Sequence, residues 1–170
     1  MSAQEVAAPE DLAAAREAAE LKGGVYGQVM VTATVAALAL DDALSATQIL
    51  IFTVATMFVF WLAHIYAELV STQVVAGRLS WARFGGVFRS EWPIMQAAGP
   101  PSLALALAAL DVYSREAGVR IALITGVVLL TGWGFLIGRR TGMGVTGTLV
   151  AAGLSGVLGL FVIVLELALH

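Results

Sequence analysis

Five apolar runs alternate with short polar breaks along the chain, at about 24–40, 49–75, 93–112, 119–138 and 144–169. A helix rises about 1.5 Å per residue, so about 20 residues cross a hydrocarbon core of roughly 30 Å. The pattern predicts an all-α polytopic membrane protein with five transmembrane helices. The first run is short and stops at Asp41-Asp42, a pair that requires water. The second is long enough to tilt or to extend past the interface. The third contains Gly99-Pro100-Pro101, where two backbone donors are missing and each ring opposes the preceding turn, so a helix break is expected there. The fourth and fifth are rich in glycine. Gly134 and Gly138 in one, and Gly153, Gly156 and Gly159 in the other, predict close packing of these two helices, because small residues let backbones approach.

Ahead of the first run, residues 1–22 are polar and hold Glu5, Glu10, Asp11, Glu17 and Glu20. Pro9 followed by two acids reads as a helix start with negative charge near its positive end. The expected organisation is an acidic N-terminal cytoplasmic helix over 1–22, solvated or docked on basic inner loops, and a transmembrane domain over 23–170. The opening residues do not have the basic start and apolar core of a signal peptide.

Composition agrees with the runs: 59% of residues are hydrophobic, 12% are charged and mean hydropathy is +0.90, whereas about a quarter of a soluble domain is charged. Cysteine is absent, which removes disulfides and thiolate metal sites, and no cofactor or metal is assigned. The basic residues divide unevenly. With the N-terminus inside and the C-terminus outside, Arg16, Lys22, Arg78, Arg83, Arg89, Arg139 and Arg140 fall on the inner side, against Arg115 and Arg120 outside. Trp81, Trp92 and Trp133 fall near the same inner boundary, where amphipathic rings prefer to sit. The loop 77–92 mixes Arg with Trp and Phe and reads as a segment lying on the inner leaflet. A bacterial-type plasma membrane is the expected location and the lipid bilayer the expected partner. No Walker loop, metalloprotease helix or same-depth catalytic triad is present, and no basic domain supports nucleic-acid binding, so neither an enzyme nor a nucleic-acid binder is expected.

Candidate chemistry concentrates on the second run. Steps of three and four place Met57, Trp61, His64, Glu68 and then Ser71 or Thr72 on one stripe. An ionisable residue inside a membrane is costly and by default faces the bundle interior. His64 and Glu68 then form a pair able to relay a proton or hold a cation. The alternative places Glu68 at the interface, reaching water or Arg78. The first span brings Tyr26, Gln28 and Thr32 to comparable depth, and the third brings Gln96. Carbonyls freed by Gly99-Pro100-Pro101, around Gln96 to Ala98, need partners and shape a cavity. A polar vestibule built from Gln28, Thr32, His64, Glu68 and Gln96, with Met57 deeper, is the expected ion or proton pathway. Glu166 and His170, four apart, read as exposed at the outer end. A small organic molecule held between Trp61, Tyr66 and Trp92 stays open. A homodimer is the expected assembly, since five spans alone have limited means of enclosing a pore.

The order of features resembles the five-span vacuolar iron transporter (VIT) family. That family has an N-terminal cytoplasmic helix, two spans, an inner connection and three further spans, the first with Gly and Pro near its middle. The matching stretches are Glu10 to Leu21, the run SEWPIMQAAGPPSLAL, and the pair IALITGVVLLTGWGFLIGRR and TGTLVAAGLSGVLGLF. The resemblance implies a dimer exchanging metal ions for protons, with Met57 and Glu68 in second-span roles. Tyr26, Gln28 and Thr32 stand in the first span where that family has an acid. The inner loop holds one acid, Glu91, in place of a Glu-rich metal-collecting domain. The functional expectation is a small transporter or channel for a small cation or protons. The alternative is a non-transporting scaffold, or a lipid- or partner-interacting protein acting through the acidic helix and the Arg/Trp loop.

Overall fold

The computed structural model describes residues 9–76 and 81–168. All regular structure among them is helical, in six helices: α1 (Pro9–Ala39), α2 (Ala46–Ala76), α3 (Trp81–Ser90), α4 (Trp92–Ala109), α5 (Arg115–Arg140) and α6 (Val145–Ala168). Three stretches are long and apolar enough to cross a membrane by length and composition: Ala46–Ser71, Arg115–Arg140 and Val145–Leu165. They suit a membrane-embedded protein.

The other two long helices, α1 and α4, are less apolar for a reason visible in the packing. Helix α1 touches every other helix, and α4 lies against α1, α2, α3 and α5, while α2 and α6 do not meet. Helix α1 is therefore the central element, and α2 and α6 lie on opposite flanks. A helix screened by its neighbours can carry Gln28 and Thr32 on a buried face. The flanking helices instead expose Phe52, Phe58 and Val59, or Leu154, Leu160 and Phe161. In water that surface would be an aggregation hazard; against lipid it costs nothing. The acidic segment and the first apolar run form one uninterrupted helix, since α1 passes through Lys22 and Gly23 without a break.

Helix ends follow local chemistry. Ser45 and Gln48 open α2 with reciprocal bonds: Gln48 N–H donates to Ser45 Oγ at 3.3 Å, and Ser45 N–H donates to Gln48 Oε1 at 2.9 Å. Ser114 caps α5 by accepting from Ala117 N–H at 3.3 Å, and Arg139 and Arg140 occupy its last turn, where the helix dipole favours cations.

The expected break at Gly99, Pro100 and Pro101 does not occur. Helix α4 continues through all three residues to Ala109. Gly99 has no Cβ to oppose the ring of Pro100, which relieves the usual restriction on the residue before a proline. The missing donors remain, so the chain keeps its helical path while losing two rungs of its ladder.

The expected packing of the last two helices is present at four of the five glycines. A Cβ on Gly134 would come within 2.5 Å of the Ala151 carbonyl, and one on Gly138 within 2.6 Å of Thr148 Cα. Gly156 lies against Thr131, and Gly159 against Leu130 and Val127. Gly153 meets open space and takes no part.

Two polar ties fix the ends of the bundle. At one end the Arg115 guanidinium donates to three carbonyls of the α1–α2 connection: Leu44 (2.7 Å), Asp41 (2.8 Å) and Ala39 (3.2 Å). At the other, Arg140 pairs with Glu17 at 2.9 Å, joining the end of α5 to the acidic turns of α1. The α1–α2 and α4–α5 connections thus share one end, and the α5–α6 connection lies at the other with the start of α1.

Candidate functional site

A cavity of about 420 Å³ opens between α1, α4 and α5, with Glu20 and Arg89 among its lining residues. Helix α1 contributes Gln28, α4 contributes Trp92, Pro93, Gln96, Ala97 and Pro100, and α5 contributes Leu129 and Trp133. Glu20 and Arg89 belong to the same end as the Glu17–Arg140 pair and are exposed, so the polar rim lies there.

The wall is set by what glycine allows. A Cβ on Gly27 would stand 2.6 Å from the Ile94 carbonyl, so α1 and α4 approach backbone to backbone there. A Cβ on Gly24 would meet the Trp133 ring at 2.5 Å, so the indole lies where a larger residue would exclude it. Gly126 gives way to Thr32 one turn further along α1. With α1 held this closely, Gln28 is driven fully inside at 0% exposure.

Thr53, Trp61 and Ser102 also have unpartnered buried polar atoms, but among these residues Gln28 is the one that lines this cavity. Neither its Oε1 nor its Nε2 has a hydrogen-bond partner. Leaving buried polar atoms unmatched costs about 1–3 kcal/mol each, so such an amide marks a place where a bound molecule or water completes the bonding. The neighbouring Thr32 hydroxyl gives no relief, because it donates at 2.8 Å to the backbone carbonyl of Gln28. Pro100 has no N–H for the Gln96 carbonyl four residues earlier, and both residues line the same cavity. Gln28, Gln96 and Pro100 of the expected set therefore line one cavity, and Thr32 lies one turn from Gln28 on α1.

His64, Glu68 and Met57 are not part of that wall. Helix α2 packs on α4 and has little contact with α5, so it lies on the far side of the pair that bounds the cavity. Its stripe meets a different neighbour at each level. Met57 is fully buried in the apolar core. Trp61 stacks edge-on against Phe88 of α3 at 4.6 Å and Trp92 of α4 at 5.7 Å. The half-buried His64 ring lies 5.1 Å from Tyr26 and 4.9 Å from Phe60, and its Nδ1 is 3.3 Å from the Phe60 carbonyl. The Glu68 side chain is exposed, and its backbone carbonyl accepts from Ser71 Oγ at 3.1 Å. One helical face does not make one site when the elements opposite it change along its length.

Of the three aromatics considered for an organic ligand, Trp61 and Trp92 meet while Tyr66 points away at 71% exposure. Trp92 belongs to both the aromatic cluster and the cavity wall. Among the described residues no group of three or more His, Asp or Glu is placed to hold a metal ion. The side chains of Thr72, Trp81 and Glu166, together with Arg78 and His170, lie outside the described residues.

Glu20, Arg89 and Trp133 are cavity residues that the apolar pattern did not single out. The Gly23-Gly24 pair opening the first run was the available signal, since adjacent glycines at a helix face mark close approach by another element. In comparisons with known proteins, the chain matches no family model, no curated protein and no solved structure.

Proposed function

We propose that this chain is a small membrane transporter or channel, with five spans, an inside N-terminus and a solute path through the α1–α4–α5 cavity. The observation that carries this reading is the fully buried Gln28 amide, unpartnered at both atoms, in the wall of a cavity whose rim carries Glu20 and Arg89. In this reading the solute enters from the inner side, where the basic residues collect, and exchanges its water for Gln28 and the proline-freed carbonyl of Gln96. Spans one and three, α1 and α4, need less hydrophobicity than the flanking helices because the bundle shields more of their surface from lipid. Helix α2 supports the wall and does not line the path. Metal exchange of the vacuolar iron transporter kind is not part of the reading, because an amide stands where a first-span acid would bind the ion.

Purified protein in liposomes tests this directly. Flux of protons, Na⁺, K⁺, Mn²⁺, urea and uracil would be followed in separate assays. We expect flux of at least one of these, reduced tenfold or more in Gln28→Met and within twofold of normal in His64→Ala and Glu68→Gln. Flux lost in the α2 variants but kept in Gln28→Met would return the path to the second span. Absence of flux for every probe would overturn the transport reading and favour a scaffold acting through α3 and the acidic turns.

A further inference from the structure

The chemistry of the cavity wall restricts what fits it. Resting on the transport reading above for its role but not for its binding, we propose that the cavity binds a small flat ring carrying an amide edge, as in a pyrimidine, a lactam or a nicotinamide-type carboxamide. Gln28 has one acceptor, Oε1, and one donor group, Nε2, and both are unpartnered. A bare cation satisfies Oε1 and leaves Nε2 opposed. An anion satisfies Nε2 and leaves Oε1 opposed. A molecule with a donor and an acceptor side by side satisfies both in one cyclic pair.

Size and walls agree. The volume of about 420 Å³ lies in the range of small-molecule pockets, roughly 300–1,000 Å³, and far exceeds the roughly 30 Å³ share of one water. Trp92 and Trp133 both line it, and indole rings are suited to packing against a flat ring. Trp133 lies against Gly24, where any Cβ would displace it, so the position of that ring depends on the bare backbone of α1. Pro93, Ala97 and Leu129 complete an apolar floor that rewards burying a ring and penalises a fully hydrated ion.

The test is binding to the whole protein in lipid nanodiscs, measured by calorimetry and ligand-observed NMR. Uracil and nicotinamide are the probes, and 1,3-dimethyluracil is the control, since it keeps the ring but has no N–H donor. We expect uracil to bind at least tenfold more tightly than the dimethyl compound, and Gln28→Met to erase that difference. Equal binding of the two compounds, or discrimination that survives in Gln28→Met, would overturn the proposal. So would failure of both probes to bind at millimolar concentration, which would mean the cavity holds only water. Should Gln28→Met not fold, the comparison of uracil with its dimethyl form on the unaltered chain decides alone. Binding without uptake in liposomes sinks the transport reading and keeps this one; ion flux without ring binding does the reverse.

Discussion

Arg115 offers the sharpest test of how the bundle is held, because one side chain bridges three carbonyls more than seventy residues away in sequence. Ala39 is the last residue of α1, so the guanidinium also sits at the negative end of that helix. The Leu44 and Ala39 bonds are partly buried, and Arg115 keeps only 19% of its side-chain surface. A hydrogen bond to a charged group contributes about 1.5–3 kcal/mol; taking the lower figure for each of these two gives about 3 kcal/mol. The exposed Asp41 carbonyl finds water when released, and Asp42, fully exposed at 3.7 Å, adds nothing measurable. For a chain of this length 1 kcal/mol moves Tm by about 2–4 °C, so Arg115→Ala should melt about 6–12 °C lower in detergent. Arg115→Lys should recover less than half, since an ammonium cannot span three acceptors in the fork that a guanidinium supplies. Asp42→Ala should melt like the unaltered chain. A Tm within 1 °C for Arg115→Ala would refute the clamp, and equal stability of the Lys variant would refute its dependence on geometry.

Other expectations follow from the same contacts. Gly138→Leu should lower Tm by several degrees because its Cβ meets Thr148 backbone at 2.6 Å, whereas Gly153→Ala, with nothing within 4 Å, should leave melting unchanged or slightly higher. Gly24→Ala should shift the tryptophan emission of the protein and weaken any cavity ligand, because the added methyl displaces the Trp133 ring; an unchanged spectrum would count against the packing described. Since the chain has no cysteine, single replacements Asp41→Cys and Thr141→Cys can be labelled one at a time in vesicles. The proposed topology requires an impermeant maleimide to reach the first from outside and the second only from inside, and labelling of both from one face would reject it.

Composition and the spacing of apolar runs already determined that the chain is helical and fits a membrane, because lipid demands long apolar segments with their backbone bonds satisfied internally. The glycines of α5 and α6 were legible for the same reason: a missing side chain at spacing four leaves a groove whatever fills it. Gln28, Thr32 and Gln96 could be proposed together from their depth alone. The role of the second span was not legible in this way. Periodicity gives which residues of α2 share a face, but not which helix lies opposite, and that is settled only by α1 lying between α2 and α6. The same central position explains why a neutral amide, less conspicuous in sequence than His64 or Glu68, became a buried polar group: α1 meets every other helix, and its glycines let its neighbours close around Gln28. Arg115, counted in the sequence only as an outer charge, likewise acquired its three partners only when the chain folded back on itself.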